Sequence, residues 1–240
     1  ADISFVGSMY HKNSYDDIKD KLPPYLRGYF DAAMLAQLNI YGDNIIDELL
    51  TVDILKQLSE FVDFRQDKRA FSDIRLVFES TFLGFKLANI ERVRTLNLLA
   101  KKNKVALYTD EQDTSLINVD FKGTVDYMND MPKVFNNSSI NLNMTIRNIR
   151  TGIPLRVWDI LGAGGFLLTN YQIELTDYFK NEESIVYYED MYDCCKKAEY
   201  YLLHEDKRRQ IAAKGHELVS KKHSYINRVK YILDVIGKMS

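Results

Sequence analysis

The sequence predicts an α/β chain: a parallel sheet with helices on both faces, carrying a helical insertion after the first strand. Two observations predict it. From Asn89 onward, short apolar runs of strand length alternate with tracts of helical spacing, the signature of βαβ units. Between about Ser14 and Phe85 the helical spacing continues with no strand-like run inside it.

The elements follow in order. Ile3 to Val6 reads as a buried strand, stopped by Gly7-Ser8; a short apolar run closed by a glycine is a strand end. In the next tract Ile45, Ile46, Leu49, Leu50, Leu55, Leu58 and Val62 recur at helical spacing. Pro23-Pro24 and Gly42-Asp43 punctuate it into three or four helices. Ile90 to Lys101 reads as a helix with Val93, Leu96, Leu99 and Ala100 on one face. Val105 to Tyr108 and Val119 to Phe121 are strands, and Tyr127 to Asn136 is a helix with Met131, Val134 and Phe135 inward. Ser139 to Leu142 is a strand, Leu155 to Ala163 a helix, Gly165 to Thr169 and Ile185 to Tyr187 strands. Three helices close the chain, over Met191–Leu203, Asp206–Lys221 and Ser224–Gly237. Parallel crossovers should be right-handed.

Bulk properties exclude several functions. A net charge of -2 and a pI near 6.1 do not supply the clustered cations that neutralise nucleic-acid phosphates. No apolar run approaches the roughly 20 residues a membrane helix needs, and no signal peptide begins the chain, so a cytoplasmic location is expected. The strand-like start implies a natural beginning further upstream. Cys194 and Cys195 are adjacent and have no other cysteine to pair with, which fits a reducing compartment and a helix that buries at least one of them. His11, His204, His216 and His223 show no metal-ligand spacing, and no metal site is expected. Trp158 and Phe166 read as core.

Ligands of open parallel sheets sit at the carboxyl ends of the strands. Those ends carry Gly7-Ser8, Thr109-Asp110, Lys122-Gly123, the loop from Asn143 to Pro154, and Asn170-Tyr171. The fourth is the richest, with Asn143, Thr145, Arg147, Asn148, Arg150, Thr151 and Gly152 leading into a helix at Pro154. Proline suits a first helical turn, where the N–H has no partner, and a helix start is an anion site. Gly152 permits close backbone approach, and Arg147 and Arg150 offer bidentate contacts to phosphate oxygens. Arg156 and Asp159 follow in the first two turns. An acid there either offsets the helix dipole or accepts a pair of vicinal hydroxyls. Glu174 is likewise either a helix-start acid or a ligand contact.

The run Gly152-Ile153-Pro154-Leu155-Arg156-Val157-Trp158-Asp159-Ile160-Leu161-Gly162-Ala163-Gly164-Gly165-Phe166-Leu167-Leu168-Thr169 resembles the donor-site segment of GT-B glycosyltransferases, and most nearly the CgeB-like (spore maturation protein) group. Phe121-Lys122-Gly123, Val125-Asp126-Tyr127, Ile140 to Asn143, Glu174-Leu175 with Phe179, Gly215-His216 and His223-Ser224-Tyr225 with Arg228 resemble the same group. The resemblance covers about the last 120 residues and hardly touches the insertion.

It implies a Rossmann-like donor domain over 1–12 and 89–240, a helical insertion or subdomain over 13–88, and an acceptor domain upstream. It implies a nucleoside diphosphate sugar as donor substrate, no cofactor, no metal, and an acceptor that is a glycan, a protein or a small molecule. Asp159 would hold the ribose, where glutamate is usual. Gly7-Ser8 would face the diphosphate and Lys122 to Val125 the base. Gly152, Ile153, Pro154 and Leu155 would form the helix start beneath the phosphates, with Thr109 and Asn143 at neighbouring strand ends. Many retaining relatives carry a second glutamate eight positions before the ribose acid. Here that position is Thr151, so the resemblance speaks for donor binding and leaves the stereochemistry open. The alternative function is a non-catalytic nucleotide-binding module whose insertion docks a partner.

Overall fold

The computed structural model describes residues 1–62 and 73–239. Six strands form one parallel sheet: β1 (Ile3–Val6), β2 (Val105–Tyr108), β3 (Val119–Phe121), β4 (Ile140–Asn143), β5 (Leu167–Asn170) and β6 (Val186–Tyr188), in the order β3-β2-β1-β4-β5-β6. That is the doubly wound order, and the direction of winding reverses between β1 and β4. Ile3 lies against Val105 on one side and Ile140 on the other.

Every residue of β1, β4 and β5 is buried, as expected of strands covered on both faces. One face packs Phe5, Leu107, Leu142 and Leu168 against Leu96, Leu99, Ala198 and Tyr201. The other packs Val6 and Leu167 against Phe135, Val157, Ile160 and Val219. The helices responsible are α6 (Phe85–Ala100) and α10 (Met191–Leu203) on the first face, and α7 (Met131–Asn137), α8 (Leu155–Gly162) and α11 (Glu205–Lys222) on the second. Cys194 of α10 is buried, and its neighbour Cys195 half-buried; both are free thiols.

The insertion contains α1 (Ser14–Ile18), α2 (Pro24–Gln37), α3 (Ile46–Leu49), α4 (Val52–Ser59) and α5 (Ile74–Val77). Its helices share a separate apolar cluster around Tyr15, Leu26, Phe30, Leu58 and Phe78. The expected helical tract also covers 63–72, which lie outside the described residues.

Two helix boundaries differ from expectation. The helix expected from Ile90 is already formed at Phe85, and the π-helical segment Phe78–Gly84 joins it to α5; side-chain periodicity is blind to such an extra residue in a turn. The helix expected from Tyr127 begins only at Met131. Pro132 in its first turn cannot extend the ladder backwards, and the Asp126 carboxylate instead holds the N–H groups of Met128 and Asn129 in a turn. A short helix, α9 (Leu175–Tyr178), was not anticipated, and α12 (Tyr225–Met239) completes the chain. Among the described residues no helix is long and apolar enough to cross a membrane.

Candidate functional site

In a doubly wound sheet the ligand crevice is expected outside the carboxyl ends of the strands between which the winding reverses, here β1 and β4. The turn after β1 holds Gly7, half-buried, whose N–H donates to the Tyr108 carbonyl (3.0 Å), and Ser8, exposed. Tyr10 takes a left-handed backbone (φ 51°) and stacks on Phe85, ring centroids 4.6 Å apart. His11 and Lys12 continue the loop, and both meet the Glu111 carboxylate of the loop after β2 at 2.7 Å.

Arg92 of α6 crosses beneath this crevice. It is buried, and its guanidinium donates to the carbonyl of Ser8 and to that of Met144, the latter at 2.7 Å. One cation therefore ties the chain after β1 to the chain after β4. Burial lowers its pKa, and no carboxylate pairs with it among the described residues.

The loop from Met144 to Pro154 is held from three sides. Asn170 exchanges two hydrogen bonds of 2.8 Å with the backbone of Thr145. Asn143 turns inward, donating to the hydroxyls of Thr145 (3.0 Å) and Thr169 (2.9 Å). Arg147 is buried as well: it pairs with Glu91 at 2.8 Å, and its guanidinium carbon lies 3.5 Å from the Tyr41 ring centre. The sequence expectation set Arg147 on phosphate oxygens. The structure places its guanidinium behind the loop, where it supports the loop's shape. Arg150, three residues on, is exposed and reaches Asp47 at 3.1 Å and Glu79 at 3.6 Å.

Thr151 and Gly152 sit at the exposed crest of the loop, Gly152 with φ 86°. The Gly152 N–H donates to the Glu174 carboxylate, which gives that acid a loop-holding contact. Ile153 and Pro154 then lead into α8. No side chain caps this helix, and no acid stands in its first turn, so its free N–H groups form a positive end.

Asp159 lies one turn further along. Its carboxylate accepts the Tyr127 hydroxyl at 2.9 Å and meets Arg156 at 3.4 Å. The hydrogen bond to Asp159 raises the Tyr127 pKa. Arg156 also lies against the Met131 sulfur and over the Phe135 ring. Leu155 is exposed. With Trp158 and Asp159 it faces His223, Tyr225 and Arg228 across a cleft of about 430 Å³.

The sequence reading thus brings Gly7, Ser8, Asn143, Gly152, Ile153, Pro154, Leu155, Arg156 and Asp159 to one edge of the sheet. Thr109 ends β2 there, buried, with its hydroxyl on Asp110 (3.0 Å). Lys122 and Gly123 end β3, and Lys122 pairs with Asp120 at 2.6 Å. Tyr127, Arg92, His11 and Lys12 were not singled out by that reading. His11 and Lys12 stand within six residues of a strand end, a signal that could have found them. Tyr127 stands out locally only as part of the Val125-Asp126-Tyr127 run that carries the resemblance, and nothing local marks Arg92.

Gly165 packs against Asn141 and Phe135, at the amino end of the sheet and away from the ligand loop.

His223 stacks near Trp158, centroids 5.0 Å apart, and its Nδ1 accepts from Arg228 at 2.9 Å. Burial, with Arg228 and Lys222 nearby, lowers its pKa. The folded state favours the neutral ring, so its contribution to stability is full above the ordinary histidine pKa and declines as the pH falls through that value. An NMR titration should find His223 below the ordinary histidine value near 6.5. A value above it would contradict the acceptor role of Nδ1.

Comparison with known proteins gives the following. No curated protein matches the chain in sequence. Among solved structures, TarM is 14% identical with a TM-score of 0.47, over 60% of this chain and 31% of that one. A mutant of S. aureus TarM in complex with fondaparinux, alpha-GlcNAc-glycerol and UDP is 13% identical with a TM-score of 0.48 over the same shares. T4 phage BGT in complex with its UDP-glucose substrate is 14% identical with a TM-score of 0.45, over 70% of this chain and 50% of that one. The chain thus spans about a third to a half of the length of these proteins. The model of the family described as glycosyl transferase-like matches residues 89–234. That stretch holds five of the six strands, the loop above α8 and Asp159, and the chain belongs to the glycosyl transferase-like family.

Proposed function

We propose that the chain is the donor-binding part of a GT-B-type, CgeB-like glycosyltransferase, and that it holds a nucleoside diphosphate sugar at the start of α8. The observation that carries this is the pairing of an uncapped helix end, beside the point where the sheet reverses, with Asp159 one turn further in. An uncapped helix end attracts a diphosphate. A carboxylate one turn away accepts both hydroxyls of a ribose.

In this reading the backbone N–H groups of Leu155 and Arg156 meet the phosphates, and Arg150 swings from Asp47 and Glu79 to join them. Lys12 and His11 approach from the β1 side. Asp159 releases Tyr127 to take the ribose, and Lys122 to Val125 border the base. Arg147, Arg92 and Asn143 hold the loops in shape from behind. During transfer the bond between the anomeric carbon and the diphosphate oxygen breaks. An acceptor hydroxyl forms the new bond, its proton passes to a general base, and the nucleoside diphosphate departs. Fixed N–H dipoles and arginine stabilise that departing charge without a metal or cofactor.

Calorimetric titration with UDP, GDP, CMP and dTDP, and with UDP- and GDP-sugars, tests this. At least one should bind in the micromolar-to-millimolar range. Asp159→Ala should weaken it about tenfold or more, roughly 1.4 kcal/mol. Absence of binding across the panel would refute the reading.

A further inference from the structure

The helical insertion touches the loop above α8 at both of that loop's arginines. The Tyr41 ring lies against the Arg147 guanidinium. Asp47 of α3 and Glu79 of the π-helical segment both meet Arg150. Gly42 of the insertion takes a left-handed backbone (φ 83°), and a Cβ added to it would lie 2.7 Å from the Tyr171 ring. The insertion is thus seated directly on this edge of the sheet.

The hold on Arg150 has a form that matters to an incoming anion. Both acids meet the same nitrogen, Nη2, Asp47 at 3.1 Å and Glu79 at 3.6 Å. A guanidinium offers a phosphate two bidentate edges, and each of them includes that nitrogen. Arg150 therefore cannot clasp a phosphate in this way and keep both carboxylates. Burial disfavours its charge, but Asp47, Glu79 and Asp43 outweigh that and raise its pKa. Glu79 is not free to follow the arginine outward, because it is buried and the Asn44 side-chain amide donates to it. Arg150 itself is exposed, and an ion pair open to water on one side is weak enough to exchange partners.

We propose that Asp47 and Glu79 form a latch: they withhold Arg150 from the diphosphate, so that the insertion sets how tightly the donor is held. The inference rests on the donor reading given above and adds to it the regulation of the same site. Arg150 stands five residues before Leu155, on the loop that leads into α8. Residues 89–234 carry the family match. The start of α8 lies within that match, and both acids lie outside it. A movement of α3 away from the loop would free Arg150 and raise donor affinity with no change at α8 itself.

Calorimetry on the full chain tests this with UDP, GDP and dTDP, the tightest of the three being carried through the variants. Arg150→Ala should weaken it about fivefold or more. Asp47→Asn should tighten it about two- to fivefold, the range that loss of an exposed ion pair spans. Asp47→Asn combined with Glu79→Gln should tighten it further. In the Arg150→Ala background the same changes should have no effect. Should the combined variant fail to fold, Asp47→Asn alone decides, since Asp47 is the nearer acid and only half-buried.

Unchanged or weaker binding by Asp47→Asn would overturn the latch, because the acids would then be holding Arg150 in readiness. Tightening that persists without Arg150 would overturn it too, as plain repulsion between the acids and the phosphates. No loss on Arg150→Ala would overturn the latch and leave the donor site at α8 standing. Binding of none of the three nucleotides would overturn both.

Discussion

Replacing Glu91 with alanine is expected to destabilise the chain by about 4 kcal/mol, the cost of leaving a buried charge alone. Glu91 is 2% exposed and accepts from Arg147 at 2.8 Å and from the Tyr41 hydroxyl at 3.2 Å. Arg147 already lacks a partner at Nε, and without Glu91 its side chain is left, among the described residues, to the contact with Tyr41. The carboxylate is what makes this position tolerable for an arginine. Glu91→Gln preserves an acceptor and should cost less. A Glu91→Leu, Arg147→Met pair removes both charges and should recover most of the loss, since an apolar pair is often no less stable than a buried ion pair. Urea denaturation with a shared slope measures all three. If alanine costs under 1 kcal/mol, the ion pair is not what holds the loop.

Gly165→Ala is expected to cost about 3 kcal/mol, combining overpacking with the loss of a satisfied polar group. A Cβ there would stand 2.6 Å from Asn141 Nδ2 and 2.8 Å from the Phe135 carbonyl. Neither neighbour is free to move. Asn141 Nδ2 donates to the carbonyls of Phe135 (2.9 Å) and Phe166 (3.3 Å), and its Oδ1 accepts the Ser4 hydroxyl at 2.8 Å. The added methyl would push Asn141 off three bonds that join α7, β1 and the approach to β5. For a chain of this size the loss should lower Tm by roughly 6–12 °C. A shift below about 2 °C would show that the asparagine relaxes at little cost.

These two residues also show what a sequence can convey. The strands were legible because their apolar runs are short and glycine-bounded. The start of α8 and Asp159 were legible because a proline, a glycine and an acid stand at fixed spacing along one segment. Arg147 and Arg150 were not separable: both are arginines in one polar loop. What divides them is Glu91, 56 residues from Arg147, and the acids of the insertion. The contact of Tyr127 with Asp159 was hidden for the same reason, the two being 32 residues apart. The late start of α7 was written in Pro132, whereas the π-helical segment before α6 leaves no mark in apolar spacing.

The place of β1 in the sheet bears on how the chain folds. The strand stands at the centre, yet its neighbours come from far along the sequence: Ser4 bonds Asn141 across 137 residues, and Asp2 meets Lys104 across 102. During synthesis β1 emerges long before either neighbouring strand exists. The insertion, with its own apolar cluster, can collapse while β1 still waits. Closing such long loops is slow, and an apolar strand left open meanwhile invites pairing with other chains. The hydroxyl of Ser4 and the carboxylate of Asp2 keep polar groups on a segment that is otherwise apolar from Ile3 to Val6. A chain released from the ribosome before Asn141 would therefore be expected to aggregate through β1 rather than rest as a folded fragment.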